Sequence, residues 1–171
     1  MSDNSLELFS LRSKGPLARA ASPPERHGDA SDLAEDEEHC RGFGYMRGIS
    51  DKARSLEFRL ANGNREAFPY NWLGPARYNP SAGILLKFVG DLVYLVLIEG
   101  SNLNKLMNDA ISLYERGILR HRVTWVREMT RQELADAGEG ETTVSRIRTA
   151  SFRPDDEPKG LDWLGPFQHQ P

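Results

Sequence analysis

The segment Leu92-Val93-Tyr94-Leu95-Val96-Leu97-Ile98 is apolar at every position. A half-buried strand alternates apolar and polar residues, whereas an unbroken β-branched and aromatic run buries both faces. Any fold of this chain must therefore place 92–98 centrally and cover it on each side. The run is far too short to cross a bilayer as a helix, which takes about 20 apolar residues.

The neighbouring segments supply partners. Ile84 to Val89 is a second apolar run, joined to the first by Gly90-Asp91, and the pair reads as a hairpin. Upstream, Ser55-Leu56-Glu57-Phe58-Arg59-Leu60 alternates, with Leu56, Phe58 and Leu60 on one face. Asn62-Gly63 tolerates the positive φ of a tight turn, so Arg65 to Tyr70 is expected to return antiparallel. Pro69 lacks an amide donor, so this return strand should end there or lie at an edge. Tyr70-Asn71-Trp72-Leu73-Gly74-Pro75 reads as a loop, Ala76 to Tyr78 as a brief extension, and Asn79-Pro80-Ser81-Ala82-Gly83 as another turn.

Downstream, Ser101 or Asn102 can cap a helix whose stripe is Leu103, Leu106, Met107, Ala110, Leu113 and Tyr114, with Gly117 as its left-handed stop. Leu119, His121, Val123 and Trp125 then alternate with Arg120, Arg122 and Thr124, which predicts a final strand. The expected fold class is α+β: a mainly antiparallel, strongly curled sheet of about five to six strands with one helix packed on it. Curling, or pairing with a second copy, would supply the cover that 92–98 needs.

Charge divides the chain of 171 residues, whose net charge is −3. Residues 1–40 carry a balance of −5, residues 41–130 of +5, and residues 131–171 of −3. Pro, Ser, Gly and acidic residues dominate both ends, and such segments cannot offset a backbone ordering cost of roughly 1–2 kcal/mol per residue. The expectation is a disordered acidic arm at 1–42, a compact domain at 43–130, and a disordered acidic tail at 131–171 with an apolar cluster at 161–167. That size leaves no room for a two-domain enzyme. Asp3 and Glu7 do not fit the basic start of a secretory leader, and the single cysteine, Cys40, fits a reducing compartment, so a cytoplasmic protein is expected.

Several chemistries are weakly supplied. Gly42-Phe43-Gly44-Tyr45-Met46-Arg47-Gly48 has Arg47 where a dinucleotide fingerprint needs glycine and is followed by no helix; it reads instead as an entry pinned by Phe43 and Tyr45. Glu37-Glu38-His39-Cys40 sets metal-ligating types side by side without the spaced second pair of a zinc site, and reads as a solvated acidic run. His121 is the only histidine of the expected domain, and it shares a strand face with Val123 and Trp125, as a core-edge residue does. No catalytic, metal or cofactor site is expected. The strand–Asn62-Gly63–strand pattern over Leu56 to Tyr70 is similar to the opening hairpin of Sm-like RNA-binding barrels. In that family the helix precedes the strands, so the likeness is not carried into the fold or function.

Two features point to partners. Arg116, Arg120, Arg122, Arg127 and Arg131 form a candidate basic surface for phosphate backbones, competing with an ordinary solubilising role. Asn71-Trp72-Leu73-Gly74-Pro75 recurs as Asp162-Trp163-Leu164-Gly165-Pro166, and Leu161, Trp163, Leu164 and Phe167 make a candidate docking cluster, on the same chain or on a partner. Arg146-Ile147-Arg148-Thr149-Ala150-Ser151 also sets basic residues ahead of hydroxyls, as basophilic kinases require. The expected role is a non-catalytic interaction or scaffold module that binds a protein partner or itself. The alternative is a nucleic-acid-binding domain using the Arg116–Arg131 surface.

Overall fold

In the computed structural model, which describes residues 37–48, 50–107, 110–156 and 161–168, the strands are β1 (Glu37–His39), β2 (Phe43–Met46), β3 (Ser55–Arg59), β4 (Arg65–Pro69), β5 (Leu73–Asn79), β6 (Gly83–Val89), β7 (Val93–Glu99), β8 (Val123–Arg127) and β9 (Arg146–Phe152). They form two sheets, a five-stranded one in the order β1-β2-β8-β3-β4 and a four-stranded one in the order β5-β6-β7-β9. All pairings are antiparallel except β3 with β8, where Phe58 lies opposite Val126.

Both hairpins read from the sequence are present. Ser55 to Arg59 pairs with Pro69 to Arg65 around Gly63, whose φ is 86°, and Ile84 to Val89 pairs with Ile98 to Val93. β4 ends at Pro69 on the sheet edge, where the missing amide breaks no ladder. The two sheets face each other across one core. Phe43, Leu56, Phe58, Phe68, Val123 and Val126 come from the first sheet, and Ile84, Leu86, Phe88, Val96, Ile98 and Ile147 from the second. Phe68 stacks on Phe88 at 4.7 Å and meets Phe58 at 6.0 Å, so aromatic rings join the layers.

The expected single, strongly curled sheet is thus replaced by two facing sheets, because the chain leaves the first at β4 and builds the second from β5. The domain limits also shift. The acidic run Glu37-Glu38 is part of β1, and the tail beyond 130 is folded through Phe152: β9 pairs with β7 along its length and Val144 and Ile147 are buried. Thr149 and Ser151, the hydroxyls that follow the basic residues, therefore sit in that ladder rather than in a disordered tail. The remainder of the expected acidic arm, 1–36, lies outside the described residues.

The long helix at 101–117 is not formed. Asn102 has φ 57°, Met107 bridges back to Ile111, and Leu106 is exposed, while Leu103, Ile111 and Leu113 enter the core from a loop. Local side-chain bonds compete with the helix here: Asn104 Oδ1 accepts from the Glu115 amide and Ser112 Oγ from the Arg116 amide. Only a π-helical turn at Leu113–Gly117 and a 3-10 turn at Ile118–Arg120 remain. Gly117 is not left-handed; its value is close approach, since a Cβ there would lie 2.6 Å from the Ser112 carbonyl oxygen. His121 takes the left-handed position at φ 56°, which delays β8 to Val123. A short helix forms farther on, at Arg131–Ala135, with a capping box between Thr130 and Glu133.

One carboxylate ties the layers together. Glu128, just past β8, accepts from the Ile147 amide through Oε1 at 2.6 Å and from the Ala61 amide through Oε2, so it bonds the strand β9 and the β3–β4 turn at once. Glu128→Ala leaves the Ile147 amide without its acceptor, at an expected cost of about 1–3 kcal/mol. Urea unfolding should give a lower midpoint at unchanged slope; an unaltered midpoint would show that the carboxylate does not hold β9.

Candidate docking surface on the second sheet

Alternation along β6 and β7 sends Ile84, Leu86, Phe88, Val96 and Ile98 into the core and Leu85, Leu95 and Leu97 to the opposite, outer face. An antiparallel sheet ordinarily keeps that second face polar and wet. Here the C-terminal segment covers it. A 3-10 turn at Asp162–Leu164 runs into a short helix, Gly165–Gln168, and brings Leu164 and Phe167 down onto Leu85, Leu95 and Leu97. Phe167 is 1% exposed and Leu164 6%, with Leu161 and Phe152 packed beside them.

The contact also has polar anchors. Arg77 and Asn79 lie on β5 two residues apart and so share a face. The Arg77 guanidinium donates to the Phe167 carbonyl at 2.6 Å, and the Asn79 amide donates to the Pro166 carbonyl at 3.3 Å. Both bonds reach main-chain oxygens, the groups that any peptide in this conformation would present. A cleft of about 280 Å³ persists beside the segment, lined by Pro75, Leu85, Leu95, Leu164 and Phe167 with Arg77 and Lys87 at its polar edge.

Of the expected docking cluster, Leu161, Leu164 and Phe167 are therefore brought together on the chain's own sheet; the Trp163 side chain lies outside the described residues. The two Trp-Leu-Gly-Pro copies both begin in 3-10 turns and then diverge, Leu73 opening β5 and Gly165 opening a helix. Arg77, Asn79 and Lys87 were not singled out in the sequence. The available signal was the polar alternation of Arg77 and Asn79, hidden by Gly74 and Pro75 at the start of the same strand.

The five arginines of the candidate basic surface do not share a face. Arg122 is 5% exposed and donates to the Met46 and Arg47 carbonyls at 2.9 and 3.0 Å, its guanidinium lying 6.0 Å from the Tyr45 ring centre. Arg127 pairs with Glu133. Arg116, Arg120 and Arg131 are exposed, but Arg120 precedes β8 and Arg131 follows it, so they flank opposite ends of that strand.

The other candidate groups are occupied. Glu37 takes the Thr124 hydroxyl, and Glu38 accepts from Tyr45 and Arg47 at 2.7 and 2.8 Å, bonds that lower its pKa. The Cys40 thiol donates to the Phe43 carbonyl, and burial pushes its pKa up to about 12. His121 stacks on Tyr70 at 4.5 Å. Burial, with the charge of Lys52, lowers its pKa, and its cleft is lined by Lys52, Leu119 and Arg120, with no carboxylate among them.

Comparison with known proteins yields no match to a family model, a curated protein or a solved structure, so the functional reading rests on this geometry.

The Arg127–Glu133 pair gives a pH test. The Arg127 hydrogen bond, with the Thr130 amide, lowers the Glu133 pKa from 4.5 to about 2. A carboxyl depressed on folding stabilises above its unfolded value and loses that contribution as pH falls from near 4.5 toward about 2. The pair is partly exposed, so solvent screening keeps the contribution small. A ¹³C carboxyl titration should place the Glu133 midpoint near 2, and Arg127→Met should raise it; a midpoint at the ordinary value would remove the pair.

Proposed function

We propose that this chain is a non-catalytic protein-interaction module whose recognition surface is the outer face of the β5-β6-β7-β9 sheet, and that residues 161–167 are its own resident ligand. The observation that carries this reading is the seat of Phe167 and Leu164 on Leu85, Leu95 and Leu97, with Arg77 and Asn79 on the segment's carbonyls. The ligand it fits is a short segment with two apolar side chains three residues apart, the second aromatic, on a 3-10 or helical turn. Such a segment can come from the same chain, a second copy or another protein.

Energetics favour an exchangeable contact. Burying one Phe and one Leu contributes roughly 1.5–3 kcal/mol each. Ordering each residue of the segment costs roughly 1–2 kcal/mol, which offsets that gain. A ligand held so marginally yields to a competing copy at high local concentration.

The test uses the full chain carrying Leu164→Asp and Phe167→Asp, which should expel the segment and leave the face open. A labelled peptide of residues 161–171 should bind this variant saturably and bind the unaltered chain at least tenfold more weakly, because there the face is filled. A peptide with Phe167→Ala should lose most of the binding. Absence of binding by a folded variant would overturn the reading. So would collapse of the variant, since the segment would then belong to the core.

A further inference from the structure

Where the two sheets end side by side, the edge strands β4 and β9 leave a mouth into the inter-sheet space. Glu66 and Phe68 lie opposite Phe58 and Leu56, on the inner side of the first sheet. Tyr94 lies opposite Ser151, and Val96 opposite Thr149, on the inner side of the second. Among the described residues no further strand covers these positions, and a cleft of about 470 Å³ opens there, lined also by Trp72 from the β4–β5 turn.

The walls are aromatic and fixed. Phe68 is backed by Phe88 at 4.7 Å and meets Tyr94 at 5.0 Å, tilted by 51°. The Trp72 ring lies against Gly90, where a Cβ would come within 2.7 Å of it. The polar group is Glu66, which takes the Thr149 hydroxyl at 3.1 Å on Oε1. Several partly buried carboxylates have an arginine: Glu57 has Arg59, Glu99 has Arg148, Glu133 has Arg127 and Glu141 has Arg41; Glu37 and Glu128 are instead satisfied by a hydroxyl and by backbone amides. Glu66 pairs with no cation among the described residues and lines this aromatic cleft.

We infer that this cleft binds a compact alkylammonium cation, held by the half-buried rings of Trp72 and Tyr94 and by the Glu66 carboxylate, with the buried Phe68 as part of its lining. The negative face of an aromatic ring attracts a cation, and a methylated ammonium, weakly hydrated, gives up little to enter an aromatic pocket. Preformed rings add to this, since no side chain has to be ordered on binding. The inference is independent of the docking surface, which occupies the opposite face of the second sheet.

The experiment is a titration of the full chain with choline, followed by amide shifts in a ¹H–¹⁵N spectrum. Its neutral isostere 3,3-dimethylbutan-1-ol is the control. Choline should give saturable shifts confined to residues 66–72, 94 and 149–151, and the alcohol should bind at least tenfold more weakly. Glu66→Gln keeps an acceptor for Thr149 and should weaken choline fivefold or more at an unchanged thermal midpoint. Trp72→Ala should weaken it as well, and Tyr94→Leu serves if that variant does not fold. A trimethyllysine peptide separates two sources of the cation. Tighter binding than choline assigns a modified protein side chain, and equal or weaker binding assigns a free small cation. No saturable shifts, or equal binding of the alcohol, would overturn the inference.

Discussion

Strands β6 and β7 carry apolar side chains on both faces, and the rest of the molecule is arranged to keep water from each. The inner face meets the aromatic-rich first sheet, a broad contact with Phe43, Phe58 and Phe68 at its centre. Among the described residues, the outer face meets chiefly the short segment at 161–168, through Leu164 and Phe167. The two covers differ in kind. The first is a hydrophobic core whose removal unfolds the protein. The second is a small patch with two main-chain hydrogen bonds, comparable in size to a peptide contact. The functional reading follows from that asymmetry.

Charged groups set the geometry more than the stability. Glu128 joins β9 to the β3–β4 turn through amides, and Arg148 makes a two-pronged contact with Glu99, at 2.9 and 3.3 Å, that fixes the register of β7 against β9. Arg59 bonds Glu57 and lies 4.5 Å from the centre of the Trp125 ring. Part of the basic excess of residues 41–130 is thus spent in pairs with carboxylates from the flanking segments. Arg41 with Glu141 and Arg127 with Glu133 are such pairs. A charge balance computed along the chain cannot anticipate this, because it ignores which side chains meet.

The hairpins were legible because a period of two, interrupted by Asn62-Gly63 or Gly90-Asp91, admits few other structures. The helix over 101–117 was not, although its apolar spacing fits a helix. Leu103, Ile111 and Leu113 satisfy the same core from a loop, and Ser112 and Asn104 bind amides that a helix would have used. β9 was missed because Ile147 is its only strongly apolar inward residue and its flanks are acidic; its ladder to β7 provides most of its reason to be a strand. For the docking surface, the apolar anchors Leu164 and Phe167 stood out in a polar tail, but the groups that receive them, Arg77 and Asn79, look like any strand-edge polar residues.

By itself, the sequence determined that 92–98 must be buried on both faces, that it forms one arm of a hairpin with a second hairpin upstream, and that the tail carries an apolar cluster in need of a surface. These are local properties, set by side-chain alternation, turn chemistry and the cost of exposing apolar groups. Only the tertiary structure decided that two sheets share the burial, that the tail covers the outer one, and that Glu66, Phe68, Trp72 and Tyr94 converge at an open edge. Those outcomes depend on contacts between residues distant along the chain, for which periodicity carries no information.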